Sequence, residues 1–164
     1  MTGKTHELGG LAAGLLLAAE MSTGNLADTA LICGVSMGAA LLPDIDKRGS
    51  TISNKAGIPG GVLRIFTTHR GIMHTPALWI IISGAIWALS PAKPEIAYAV
   101  LCGSFSHIIL DFFNPAGVPL LFPFTSKKFR AARIRTNGFI EYAVAGMLAL
   151  SIILIGTDLV KGIR

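Results

Sequence analysis

The chain has 164 residues, 52% of them apolar and only 14% charged, with a formal net charge of +5. Soluble domains carry about 25% charged residues, so too few remain here to cover a water-facing surface, and the mean hydropathy is +0.63. These values exclude a disordered chain, a collagen-like chain and a disulfide-stapled secreted domain; they fit one small polytopic membrane domain over residues 1–164. Few lysines and arginines interleave with aromatics, so no nucleic-acid partner is expected, and the basic residues fit the positive flanks of membrane helices.

Five apolar segments follow in chain order, at about 7–21, 26–43, 72–90, 95–113 and 138–157. Each approaches the roughly 20 residues that span hydrocarbon, and together they predict an all-α membrane bundle of about five helices. The first is the weakest, with Glu7 and Glu20 at its ends, and an interfacial placement is its alternative. Glu20 stands where a cleavable signal would present small residues, so no cleavable signal is expected. Asn25 followed by Asp28 resembles a helix start. Thr75 is a good N-cap and Pro76 suits the first helical position. The break Ser90-Pro91-Ala92-Lys93-Pro94 ends the third helix. Gly10 with Gly14, and Gly34 with Gly38, are spaced to let helix backbones approach. Cys33 and Cys102 sit inside apolar runs and read as packing residues.

Alternation of five helices puts the N-terminus and the two long connections, 44–71 and 114–137, on one face. That face carries eleven basic residues: Lys4, then Lys47, Arg48, Lys55, Arg64 and Arg70, then Lys127, Lys128, Arg130, Arg133 and Arg135. The other carries Lys93, Lys161 and Arg164. The excess of positive charge predicts that the basic face is cytoplasmic and that the C-terminus lies outside.

The four histidines, His6, His69, His74 and His107, all fall on that basic face. His107 and Asp111 are four apart, which places both on one helix face a turn apart. Ionisable groups inside a membrane helix are costly and mark function, and an imidazole with a carboxylate suits zinc or a similar ion. The bland alternative is a His–Asp hydrogen bond that only satisfies two buried groups. Asp44 and Asp46 sit where the second helix ends; taken alone they read first as a polar helix end, and the alternative is that both point at one cation. They are not part of an EF-hand, because Arg48 and Lys55 occupy positions that need oxygen ligands. His69 and His74 are five apart, so a continuous helix does not align them; a bend at Gly71 would bring both to one site, and the alternative is a loop histidine and a helix-start histidine with no joint role. Arg70 between them suits a phosphate or an acidic ligand. His6 and Glu141 complete the set, so that helices one to five each deliver a metal-type ligand to one face.

Leu-Leu-Pro-Asp-Ile-Asp at 41–46, His-Arg-Gly-Ile-Met-His-Thr at 69–75, Ser-His-Ile-Ile-Leu-Asp at 106–111 and Asn-Pro-Ala-Gly-Val-Pro-Leu-Leu-Phe-Pro at 114–123 resemble the YdjM family, bacterial inner-membrane proteins described as metal-dependent hydrolases. Asn137-Gly138-Phe139-Ile140-Glu141 is similar to the family's final Asn-then-Glu element. The resemblance implies a distant likeness to the all-helical fold of the zinc phospholipases C, location in the bacterial inner membrane, and hydrolysis of a phosphoester.

The expectation is therefore a hydrolase with a cytoplasm-facing divalent-metal centre, zinc by donor type, of one or more ions. His6, Asp44, Asp46, His69, His107, Asp111 and Glu141 are the candidate ligands. Asp46 is the candidate general base, Arg70 steadies developing negative charge, and His74 protonates the leaving group. The expected partners are membrane lipids, with a lipid or small phosphoester as substrate. Two alternatives stand beside this: a carrier of divalent metal or protons, and a non-catalytic membrane scaffold.

Overall fold

The computed structural model describes residues 1–21, 24–45 and 71–162. Among them are five α-helices and no strand beyond one isolated bridge. The helices are α1 (Gly3–Glu20), α2 (Leu26–Ala39), α3 (Pro76–Leu89), α4 (Pro94–Phe112) and α5 (Phe139–Gly162). Three stretches are long and apolar enough to cross a membrane: Leu26–Asp44, Pro94–Phe112 and Phe139–Gly162.

Local chemistry sets the boundaries. The Thr2 hydroxyl accepts from the Thr5 amide and caps α1. The Asn25 side chain accepts from the Asp28 amide at 2.8 Å and starts α2 as its sequence suggests. Thr75 precedes α3 in extended conformation with Pro76 first in the helix, but its hydroxyl donates backward to the Ile72 carbonyl at 2.7 Å instead of capping. The Thr75 amide donates to the same carbonyl at 3.1 Å and closes a short 3₁₀ turn, Ile72–His74. A second 3₁₀ turn, Leu42–Asp44, carries the chain off the end of α2, with Pro43 inside it.

α1 packs against α2, α4 and α5, α2 packs against α4, and α3 packs against α4. Small residues make the inner contacts. A Cβ on Gly10 would lie 2.6 Å from the Ala40 Cβ, and one on Gly14 would lie 2.8 Å from the Cys33 Cα, so this expected pair is the α1–α2 crossing. Gly34 and Gly38 have nothing within 4 Å of such a Cβ. They lie on the outer face of α2, and the close approach expected there is not formed among the described residues. Gly103 takes that place for α4: its Cβ would fall 2.1 Å from the Ser36 carbonyl oxygen. Cys33 is buried, Cys102 half-buried, and both are free thiols.

The 114–137 connection folds back onto the end of α4. Val118 and Phe129 exchange two backbone hydrogen bonds, and the amides of Ala131 and Ile134 donate to the Phe112 and Phe113 carbonyls at 2.9 Å each. These bonds satisfy carbonyls that a helix end leaves without partners. Gly117 makes the turn with φ +64, and a Cβ there would meet the Phe129 oxygen at 2.6 Å.

Candidate metal centre

Alternation brings the N-terminal ends of α1, α3 and α5 and the C-terminal ends of α2 and α4 to one end of the bundle. There Asp44, His74, His107 and Asp111, all buried, each offer one ligand atom, and the four atoms lie within 4.8 Å of one another. His74 Nε2 is 3.4 Å from His107 Nε2, 3.6 Å from Asp44 Oδ1 and 3.7 Å from Asp111 Oδ2. His107 Nε2 is 3.8 Å from Asp111 Oδ2 and 4.0 Å from Asp44 Oδ1. A tetrahedral ion with legs of roughly 2.1 Å spaces its ligand atoms about 3.4 Å apart, so the cage matches an ion of that kind at slightly expanded size. Two imidazoles with two carboxylates suit zinc and its divalent first-row neighbours.

The orientation of His107 is fixed from behind. Its Nδ1 donates to the Ala40 carbonyl at 2.7 Å, one of the carbonyls left free at the end of α2. That bond holds the proton on Nδ1 and leaves Nε2 as a lone-pair donor facing the cage, the arrangement that metal-binding histidines use. The helix spacing supplies the rest, since Asp111 follows one turn later on the same face of α4.

His6 lies against this cage. Its ring stacks on that of His107, with centroids 3.8 Å apart and planes at 17°. Its Nε2 is 3.4 Å from Asp111 Oδ1. The same oxygen accepts from the Met1 α-amino group at 2.8 Å. Glu141 stands at the start of α5, and its carboxylate accepts from the Thr2 amide, from the Thr5 hydroxyl at 2.8 Å and from the Asn137 amide at 2.7 Å. It thereby ties α5 to the start of α1 and is not one of the four grouped ligands.

Of the residues singled out by sequence, the structure thus brings together His6, Asp44, His74, His107 and Asp111. It puts His74, expected as a proton donor, among the grouped ligands. Asp46, His69 and Arg70 lie outside the described residues. The Ala40 carbonyl has no side-chain signature and escaped the sequence reading; the one clue was its position at a helix end.

A family model described as YdjM inner membrane protein matches residues 1–161. The Bacillus subtilis (strain 168) protein titled "Uncharacterized protein YvsG" is 32% identical over 151 residues, which cover 92% of this chain and 91% of that one. No solved structure matches, and the likeness to the zinc phospholipases C rests on the motifs alone. With a family model matching nearly the whole chain, and with Asp44, His74, His107 and Asp111 of the motifs meeting in one buried cage, the chain belongs to the YdjM family of inner-membrane proteins.

Proposed function

We propose that this chain is a metal-dependent hydrolase embedded in the inner membrane, acting on a phosphoester at headgroup depth on the cytoplasmic side. One observation carries the reading: four buried ligand atoms from α2's exit, α3's start and α4 within 4.8 Å. Burying two carboxylates and two imidazoles in a membrane bundle is costly without a compensating charge, and a divalent ion supplies it. The cytoplasmic placement is supported by Lys4, Lys127, Lys128, Arg130, Arg133 and Arg135, all exposed, on elements that start or dock at the ligand end of the bundle. The same cations favour a negatively charged substrate.

When bound, a divalent ion lowers the pKa of its water to near neutrality and polarises a phosphoryl oxygen. Asp44, His74, His107 and Asp111 would hold it. The Ala40 carbonyl keeps the His107 proton on Nδ1, so that ring coordinates without rearranging. Asp46 is assigned the general-base role and Arg70 the stabilisation of developing negative charge. A carrier is disfavoured because the ligands gather at one end of the helices, with no comparable group among the described residues elsewhere along them.

The test begins with bound metal, counted by mass spectrometry on detergent-purified protein beside the His107→Ala/Asp111→Ala variant. The expected result is a stoichiometric ion in the wild type and none in a folded variant. A metal-replete wild type without metal overturns the reading. Binding should weaken as pH falls, because protons compete for the imidazoles and carboxylates. Hydrolysis of phospholipids and phosphomonoesters by the loaded protein should then be lost in the variant. A stoichiometric ion with no hydrolysis of either class moves the assignment to the scaffold, and metal flux in proteoliposomes moves it to the carrier.

A further inference from the structure

The two oxygens of Asp111 face different groups. Oδ2 looks toward His74 Nε2 and His107 Nε2, at 3.7 and 3.8 Å. Oδ1 looks the other way, toward His6 Nε2 at 3.4 Å and the Met1 α-amino group at 2.8 Å. His6 is 1% exposed, and neither of its ring nitrogens has a hydrogen-bond partner among the described residues. A buried imidazole in that condition forfeits its hydrogen bonds to water, and Asp111 Oδ1 is the polar group it faces in exchange.

We propose a second divalent-cation position on the α1 side of the centre, held by His6 Nε2 and Asp111 Oδ1, with Asp111 bridging it to the first ion. The proposal rests on the metal-centre reading above. Three observations support it. The separation of 3.4 Å between His6 Nε2 and Asp111 Oδ1 equals the edge expected for roughly 2.1 Å metal–ligand legs at a tetrahedral ion. The His6 and His107 rings lie nearly parallel with centroids 3.8 Å apart, and each presents Nε2 to a different oxygen of one carboxylate; two-metal sites space their ions about 3.5–4 Å apart. Finally, Asp111 Oδ1 already pairs with a cation, the Met1 ammonium, which the second ion would replace. With only two protein ligands this position is the weaker of the two, and water completes its shell. The arrangement suits a phosphoester, whose attacking and leaving oxygens can each meet one ion.

The test is a cobalt(II) titration of the metal-stripped full chain in detergent, followed by visible absorbance, electron paramagnetic resonance and metal counting. The wild type should take up about two equivalents in a tight and then a weaker phase, and the second should diminish the resonance of the first through the bridging carboxylate. His6→Phe keeps a ring stacked on His107 but removes the ligand; it should take up one equivalent with its resonance undiminished. Retention of that first equivalent shows that the variant is folded, and His6→Gln replaces it if it is not. A wild type that stops at one equivalent, or a His6 variant that still takes two, overturns the second position and leaves the first intact. A wild type that binds no cobalt overturns both.

Discussion

α1 and α5 run side by side from the ligand end of the bundle, joined there by Glu141 and at the far end by Leu159 against the cluster around Ala18, yet they bury opposite amounts of themselves. α1 buries eight of its 18 residues, Thr5, His6, Gly9, Gly10, Ala12, Gly14, Leu15 and Ala18. α5 buries Glu141 alone among its 24. α5 is a candidate membrane span by length and hydropathy and α1 is not. In water this order would be paradoxical. In lipid it follows, because tails are as apolar as leucine and helices associate through small residues and polar contacts instead. The apolar helix faces the solvent it suits, and the helix with glycines, threonine and histidine becomes the axis of the bundle.

The largest effect expected from this contrast lies where backbones touch. A Cβ on Gly103 would stand 2.1 Å from the Ser36 carbonyl oxygen, a backbone atom that no rotamer change can move. Gly103→Ala must therefore push α2 and α4 apart, at a cost of about 3 kcal/mol or more. Ala40 and His107 follow Ser36 and Gly103 by one turn each, so the same displacement stretches the bond that orients the His107 ring. The expected outcome is a large fall in thermal midpoint in detergent together with loss of bound metal. Unchanged stability and metal content would contradict the close α2–α4 crossing.

That position also marks what the sequence left hidden. Apolar runs suffice to place the helices within a few residues, because polar caps and proline breaks end them. The spacing of His107 and Asp111 suffices to pair them, because 3.6 residues per turn is a local constraint. Gly103 has no glycine four residues away; its partner in the small-residue pattern is Ala99, fully buried, so a search for glycine pairs passes over it. Gly34 and Gly38 have the pair without the contact, since spacing does not say which face meets another helix. The 69–75 motif marks His74 as a site residue, but its place among the ligands depends on a 3₁₀ turn and on the packing of α3 against α4. The Ala40 carbonyl depends on where α2 stops, which no motif carries.

A smaller effect is expected at Glu141, and it separates a tie between helices from a ligand. The carboxylate only accepts, and all three of its partners are donors: the Thr2 amide, the Thr5 hydroxyl and the Asn137 amide. A glutamine in its place must turn its own donor toward one of them. Glu141→Gln should lower stability by about 1–3 kcal/mol, read as a lower thermal midpoint, while the bound metal stays. Loss of an ion from a folded Glu141→Gln protein would restore the role as ligand that its place among the helix ends suggests.

The smallest effect belongs to the outer face of α2. A methyl group on Gly34 meets nothing within 4 Å, and glycine inside a helix is less favourable than alanine by up to about 1 kcal/mol. Gly34→Ala should therefore leave the midpoint unchanged or raise it slightly, the opposite sign to Gly103→Ala, although each change adds one methyl group to a glycine in a membrane helix. Measured in detergent and again in bilayers, the pair isolates contact from composition. A fall at Gly34 only in the bilayer would mean that another helix reaches this face there. The outer face of α2 would then join the inner face of α1 as a surface built for backbone approach.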